Sequence, residues 1–172
     1  GGGVFLTGGV AQVNNSGALV LGDVNVAALT VDTRSGGTGG NLSQASGTSV
    51  LVSGATTLNA GTGNITLLNV DGAGDAVNDF NTIDINPGQA VGSTGAVALS
   101  DRNALTVSSV VVGTNQALNL SAGTLTMPAG DIDTGTAALT LGGLATTAGN
   151  LSGGAVTLTG SAAPGGTWTC ST

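Results

Sequence analysis

Ala96-Val97-Ala98-Leu99, Ala117-Leu118-Asn119-Leu120 and Ala138-Leu139-Thr140-Leu141 follow one another at an even step of about 21 residues. Each carries a small residue, an aliphatic, a small or polar residue, and a second aliphatic. After a shorter step the pattern returns as Ala155-Val156-Thr157-Leu158, and Asn64-Ile65-Thr66-Leu67 fits it one longer step before Ala96. Ala18-Leu19-Val20-Leu21, Ala28-Leu29-Thr30-Val31 and Ala104-Leu105-Thr106-Val107 share the mould. Aliphatics alternating at period two mark strands with one buried face.

Between these units lie Gly, Asn, Asp, Ser and Thr clusters, such as Ser35-Gly36-Gly37-Thr38-Gly39-Gly40 and Asn150-Leu151-Ser152-Gly153-Gly154. Such residues make turns, because Gly and Asn tolerate positive φ. No stretch keeps a 3.6-residue apolar face over a helical length, so helices should be nearly absent. A repeat of about 20 residues, built of short strands without helices, predicts an all-β fold, a parallel β-solenoid. Val97, Leu118, Leu139 and Val156 should form one interior column, with Leu99, Leu120, Leu141 and Leu158 beside it. Some eight rungs, each rising about 4.8 Å, would make a rod roughly 40 Å long. An antiparallel β-sandwich also has many short strands, but it has no need of columns at a fixed step.

The 172 residues read as one solenoid domain. Residues 1–9 are an N-terminal strand or arm, 10–160 the rungs, and 161–172 a C-terminal tail or cap. The segment 71–95 reads as an insertion that lengthens its rung by about half, and insertions of this kind map to one face.

Composition narrows the function. Gly supplies 32 residues, charged residues 6% and hydrophobic residues 40%, and mean hydropathy is positive. That balance excludes disorder, and the lack of a Gly-X-Y period excludes collagen. The chain has no His, Lys, Glu or Tyr, so no Ser–His–Asp or Cys–His device can be built. The reading is non-enzymatic. Two Arg against nine Asp oppose nucleic-acid binding and attachment to anionic membranes. No apolar run is long enough to insert as a spanning helix. No basic region followed by an apolar core opens the sequence, as expected of a mature secreted chain or an excised segment.

Leu58-Asn59-Ala60-Gly61-Thr62-Gly63-Asn64-Ile65-Thr66-Leu67, then Val77-Asn78-Asp79-Phe80, then Val97–Val107 and Ala117–Gly123 follow one another in a telling order. In that order they resemble the repeats of filamentous-haemagglutinin-type bacterial surface exoproteins and adhesins, over roughly residues 28 to 160. The resemblance implies a right-handed parallel β-helix, exported and displayed extracellularly at the bacterial cell surface. It supplies no catalytic residues.

The polar residues offer several candidate sites. Asp71, Asp75 and Asp79, with Gly72 and Gly74 between, are the best calcium candidates, since calcium takes carboxylate oxygens from flexible loops. Turn-forming Asp in a solvated loop is the favoured reading, so no cofactor is expected. Asp131 and Asp133 flank an inward Ile132 and form a lesser candidate. Thr124-Leu125-Thr126, Thr157-Leu158-Thr159 and Thr167-Trp168-Thr169 would suit ice binding if stacked on one face, or simply reflect strand propensity. Sequons at Asn14, Asn41, Asn64, Asn119 and Asn150 read as Asn at turns and before strands. An enzyme acting on polysaccharides would have only Asp101 and Arg102 to draw on.

The ends carry more weight. A solenoid leaves an open strand edge at each end, which templates pairing unless it is capped. Val4, Phe5, Leu6, Trp168 and Cys170 are the self-association candidates. Phe5 and Trp168 either plug their own ends or offer surface to a second copy, and Cys170 is either an incidental thiol or a link to another chain. The expected function is a structural subunit or segment of an extracellular fibre whose partner is itself, head to tail. The alternative is an adhesin rod binding a host surface glycan or protein through the 71–95 insertion.

Overall fold

A computed structural model describes residues 3–34, 38–90, 93–146, 149–160 and 167–170. Parts of the N-terminal arm, the turn cluster at 35–40, the 71–95 insertion and most of the C-terminal tail thus lie outside the described residues. Every regular element among those described is a strand. They are β1 (Val4–Asn14), β2 (Leu19–Asp32), β3 (Leu42–Gln44), β4 (Val50–Asn59), β5 (Ile65–Leu67), β6 (Asp79–Ile85) and β7 (Val97–Ser100). The chain continues through β8 (Ala104–Val110), β9 (Leu118–Thr126), β10 (Ile132–Asp133), β11 (Ala138–Thr146), β12 (Leu151–Gly153), β13 (Ala155–Leu158) and β14 (Trp168–Cys170).

All paired strands are parallel. One 11-stranded sheet holds every strand except β10, β12 and β14, which form a second sheet of three. The first face of the coil stacks β2, β3, β5, β7, β9, β11 and β13. Its register sets Leu19, Leu42, Ile65, Val97, Leu118, Leu139 and Val156 in one line. Leu67, Leu99, Leu120, Leu141 and Leu158 run beside it. Both expected columns therefore exist and extend below Val97. They are nearly all fully buried. The residues between them, including Thr66, Asn119 and Thr157, point out to solvent. The described residues form about seven rungs rather than the eight expected, and β2, β9 and β11 bend to supply more than one face each.

The second face stacks β1, the later part of β2, β4, β6, β8 and the ends of β9 and β11. Here lie Ala28–Val31 and Ala104–Val107, which share the four-residue pattern but not the first column. Leu29, Thr56, Ile83 and Val107 line up inward. The extra length around 71–95 does not form one loop. Its middle, β6, pairs in parallel with β4 and β8, so the added residues divide between a loop at 68–78 before β6 and the chain between β6 and β7.

Parallel stacking explains the glycines at one corner. A Cβ on Gly63 would lie 2.3 Å from the Gly40 carbonyl carbon, and one on Gly95 would lie 2.4 Å from the Gly63 oxygen. Backbone meets backbone there, and nothing can give way. Beside this glycine line, Asn side chains bridge rungs. Asn64 donates its N–H to Asn41 Oδ1 at 2.9 Å, and Ala96 donates its own to Asn64 Oδ1 at 2.9 Å. A second bridge of this kind runs from Asp131 to Asn150 to Thr167. At corners the backbone cannot pair with the next rung unaided, and buried amides need partners. The sequon side chains of Asn41, Asn64 and Asn150 are thus structural.

Two stability changes follow. Gly63→Ala forces a methyl against the Gly40 backbone and should cost about 2 kcal/mol or more, read as a lowered urea midpoint. Thr56 sits inward at 1% exposure with its Oγ1 unpartnered. Thr56→Val removes that buried hydroxyl without changing shape and should raise stability by roughly 1 kcal/mol. A fall in its melting temperature would show that the hydroxyl is satisfied.

Candidate functional site

The loop at 68–78 is closed by its own first acid. Asp71 Oδ1 accepts N–H bonds from Ala73 at 2.8 Å and Asp75 at 3.1 Å. Its own N–H donates to the Asp75 carbonyl, while Val70 and Ala76 pair antiparallel. These bonds, led by the one from Ala73, hold the Asp71 carboxyl below the usual carboxylate range. Asp79 turns elsewhere. Its Oδ2 accepts from Arg102 Nε at 2.9 Å and from the terminal Nη2, and its Oδ1 accepts from Asn103 Nδ2 at 3.2 Å. Asp71, Asp75 and Asp79 therefore do not converge. Among the described residues, no three acidic or thiol side chains gather as a metal site would require.

Between this loop and the turn at 47–49 opens a cleft of about 600 Å³. Leu51 and Val77 form its floor, and Thr48, Ser49, Asp71 and Arg102 stand around it. Val70, half exposed, forms one lip. Next to the cleft, where Gln44 donates to the Thr48 carbonyl, is a polar cluster that residue spacing did not reveal. Asn78, fully buried, accepts at Oδ1 from Val50 N–H at 3.0 Å and from Gln44 Nε2 at 2.7 Å. Its Nδ2 donates back to Gln44 Oε1 and to the Leu67 carbonyl. The signal was present: Gln44 occupies an inward slot that every other rung fills with Leu.

Asp101 and Arg102 are adjacent but act apart. Arg102 pairs with Asp79 at the surface. Asp101 is buried, accepting from Phe80 N–H at 2.6 Å and from Asn103 N–H at 2.9 Å. Burial pushes its carboxyl up against the pull of those two bonds. The other arginine, Arg34, clasps Asp32 at 2.6 Å and holds that carboxyl low. N–H bonds from Asn150 and Gly135 likewise lower Asp131 and Asp133. Both are exposed, as expected, on either side of buried Ile132. The three Thr-X-Thr pairs fall on three different faces and form no single array.

The two ends differ from the middle. β1 pairs with β2 along one side only, and no described residue covers its other edge. Val4 and Leu6 pack against the core. Phe5 is 64% exposed and lies outside over Gly22, where an added Cβ would fall 2.7 Å from its ring. It does not plug the interior. At the other end, Trp168 continues the inward line of Ile132 and Leu151 and is 49% exposed. It borders a small hollow with Leu144, Leu158 and Gly160. Cys170 is a free, exposed thiol on the same edge strand. All eleven charged residues lie between Asp23 and Asp133, so the first 22 and last 39 residues carry none.

Asp101 yields a pH prediction. Its folded pKa is raised, so its favourable contribution is complete below the unfolded value near 3.9 and is lost as pH climbs through the folded value. Asp101→Asn does not titrate. Urea unfolding should therefore show the variant gaining on the parent as pH rises above the unfolded carboxylate value of about 3.9, and the opposite trend would refute the burial argument.

Residues 7–86 match the family model described as repeats of unknown function (DUF5649). No curated protein and no solved structure matches the chain. The match covers the first rungs, from β1 to the end of β6, and with the seven-rung coil it fits a repeat β-helix protein.

Proposed function

We propose that this chain is a non-enzymatic structural segment of a bacterial extracellular fibre, joining head to tail with copies of itself at the cell surface. The observation that carries the reading is that the outermost strands among the described residues, β1, β13 and β14, carry no charge and have a partner strand on one side only among those residues. Natural edge strands are normally blunted by charge, Pro or a covering element. β1 runs eleven residues, Val-Phe-Leu-Thr-Gly-Gly-Val-Ala-Gln-Val-Asn, without a charge or a Pro. β13 and β14 are equally bare. A head-to-tail contact between unlike ends propagates without closing. The ordered likeness to haemagglutinin-type exoprotein repeats supports display outside the cell.

A second reading rests on the cleft beside the 68–78 loop. Its aliphatic floor and hydroxyl rim suit a neutral polar surface, such as a glycan or a protein of the host. In that reading the chain is a rod module of an adhesin. Both arginines are already engaged by Asp, which supports the expectation that nucleic acid is not a partner.

Negative-stain microscopy of the purified chain over a concentration series separates the two. Fibres of uniform width that lengthen with concentration are the expected outcome. Short rods that stay monomeric at the highest concentration would sink the structural reading and leave the adhesin.

A further inference from the structure

We propose, within the second reading above, that the cleft between the turn at 47–49 and the loop at 68–78 binds a neutral oligosaccharide. Ring C–H groups lie on its aliphatic floor, and sugar hydroxyls meet the polar groups of its rim. The site is the same whether or not copies of the chain join.

Both walls of the cleft are held in place by the protein itself. The Thr48 carbonyl accepts from Gln44 Nε2 at 2.8 Å and from Asn69 Nδ2 at 2.9 Å, and Asn69 also donates to the Ala45 carbonyl. These amides tie the turn to the start of the loop. Opposite them, Asp71 closes the loop through the N–H groups of Ala73 and Asp75. Preorganised walls spare a ligand the cost of ordering them. At about 600 Å³ the cleft has the size of a ligand pocket, about 300–1,000 Å³.

Three polar groups on the rim keep spare capacity. Arg102 spends Nε and Nη2 on Asp79, and its Nη1 has no partner among the described residues. Both hydrogen bonds of the Asp71 side chain fall on Oδ1, so Oδ2 can still accept. Ser49 donates its N–H to Asp23, while its hydroxyl has no partner among the described residues. A donor, an acceptor and a hydroxyl that is both suit a ligand whose polar groups each donate and accept. Sugar hydroxyls have that property. No aromatic ring lines the cleft, and Leu51, Val70 and Val77 take the place of one against the ring C–H groups.

Charge argues against the other ligands. Asp71 lines the cleft, Asp79 holds Arg102, and Asp23 accepts the Ser49 N–H, so three carboxylates lie in or beside it against one guanidinium. A sulfated, phosphorylated or sialylated sugar would be repelled. An ammonium group, as on a lysine of a protein partner, has donors only and leaves Arg102 Nη1 unmatched. A neutral sugar meets neither obstacle.

Amide NMR spectra of the intact chain, titrated with lactose, cellobiose, maltose and diacetylchitobiose, provide the test. At least one of these should shift the signals of residues 48–51 and 70–77 in a saturable way. Sialyllactose, lactose sulfate and a trilysine peptide should bind there at least about tenfold more weakly. Arg102→Met keeps the aliphatic stem and removes only an exposed ion pair, so its melting temperature should stay near that of the parent. Its sugar affinity should fall about tenfold or more, and Ser49→Ala should weaken binding about threefold or more. Tighter binding of a charged probe, or sugar binding indifferent to both substitutions, would overturn the neutral-sugar assignment and leave the cleft as the docking site of the adhesin reading. No saturable shift at the cleft with any probe would remove both.

Discussion

The fold depends on parallel rungs stacked directly on one another at a single strand spacing, about 4.8 Å. Every inward residue then meets its counterpart one rung away, so each column must be filled by side chains of similar reach. Leu, Val and Ile meet that demand on the first face. Corners meet it differently. Where the backbone turns within van der Waals range of the turn below, as at Gly40, Gly63 and Gly95, no Cβ fits. Where the turn breaks the backbone ladder, the carboxamides of Asn41 and Asn64 restore the missing bonds. At these corners Gly and Asn are therefore a consequence of direct stacking.

The same constraint decides how much of the fold was legible. A column at an even step announces itself, and Val97, Leu118 and Leu139 lie together as their spacing required. Period-two alternation carries no label for the face it belongs to. Ala28–Val31 and Ala104–Val107 therefore share the four-residue mould of the first column while lying on another face. The 71–95 segment concealed β6, because its inward residues Phe80, Ile83 and Ile85 depart from the usual four-residue mould while keeping the alternation around a bend. Long strands that turn a corner, such as β2, also made the rungs look more numerous than they are.

The candidate site was less legible, for a reason specific to polar residues. Asp71, Asp75 and Asp79 are close in sequence, and that closeness suggested shared ligation. A loop can use such acids singly, however: Asp71 to close its own turn, Asp79 to hold Arg102. Gln44 and Asn78 interact across 34 residues of sequence, and no local spacing foretells that meeting. In a solenoid a buried amide pair reads as turn chemistry until the register is known. What sequence could show was the exception, a Gln standing in a column of Leu.

Charge placement links the energetics to the functional reading. The acids serve the middle of the rod: Asp71, Asp131 and Asp133 bind N–H groups at turns, and Asp32 and Asp79 hold the two arginines. Together with the two arginines they give the chain a net charge of −7, all of it between Asp23 and Asp133. The uncharged stretches include the outermost described strands, whose outer edges have no partner among the described residues, the position at which an isolated β protein most needs charge to prevent pairing. In the proposed assembly, repulsion along the sides combined with none at the outermost strands favours growth along the axis over lateral clumping. The scarcity of charge in this chain is thus better described as a distribution, and that distribution supports the proposed head-to-tail assembly.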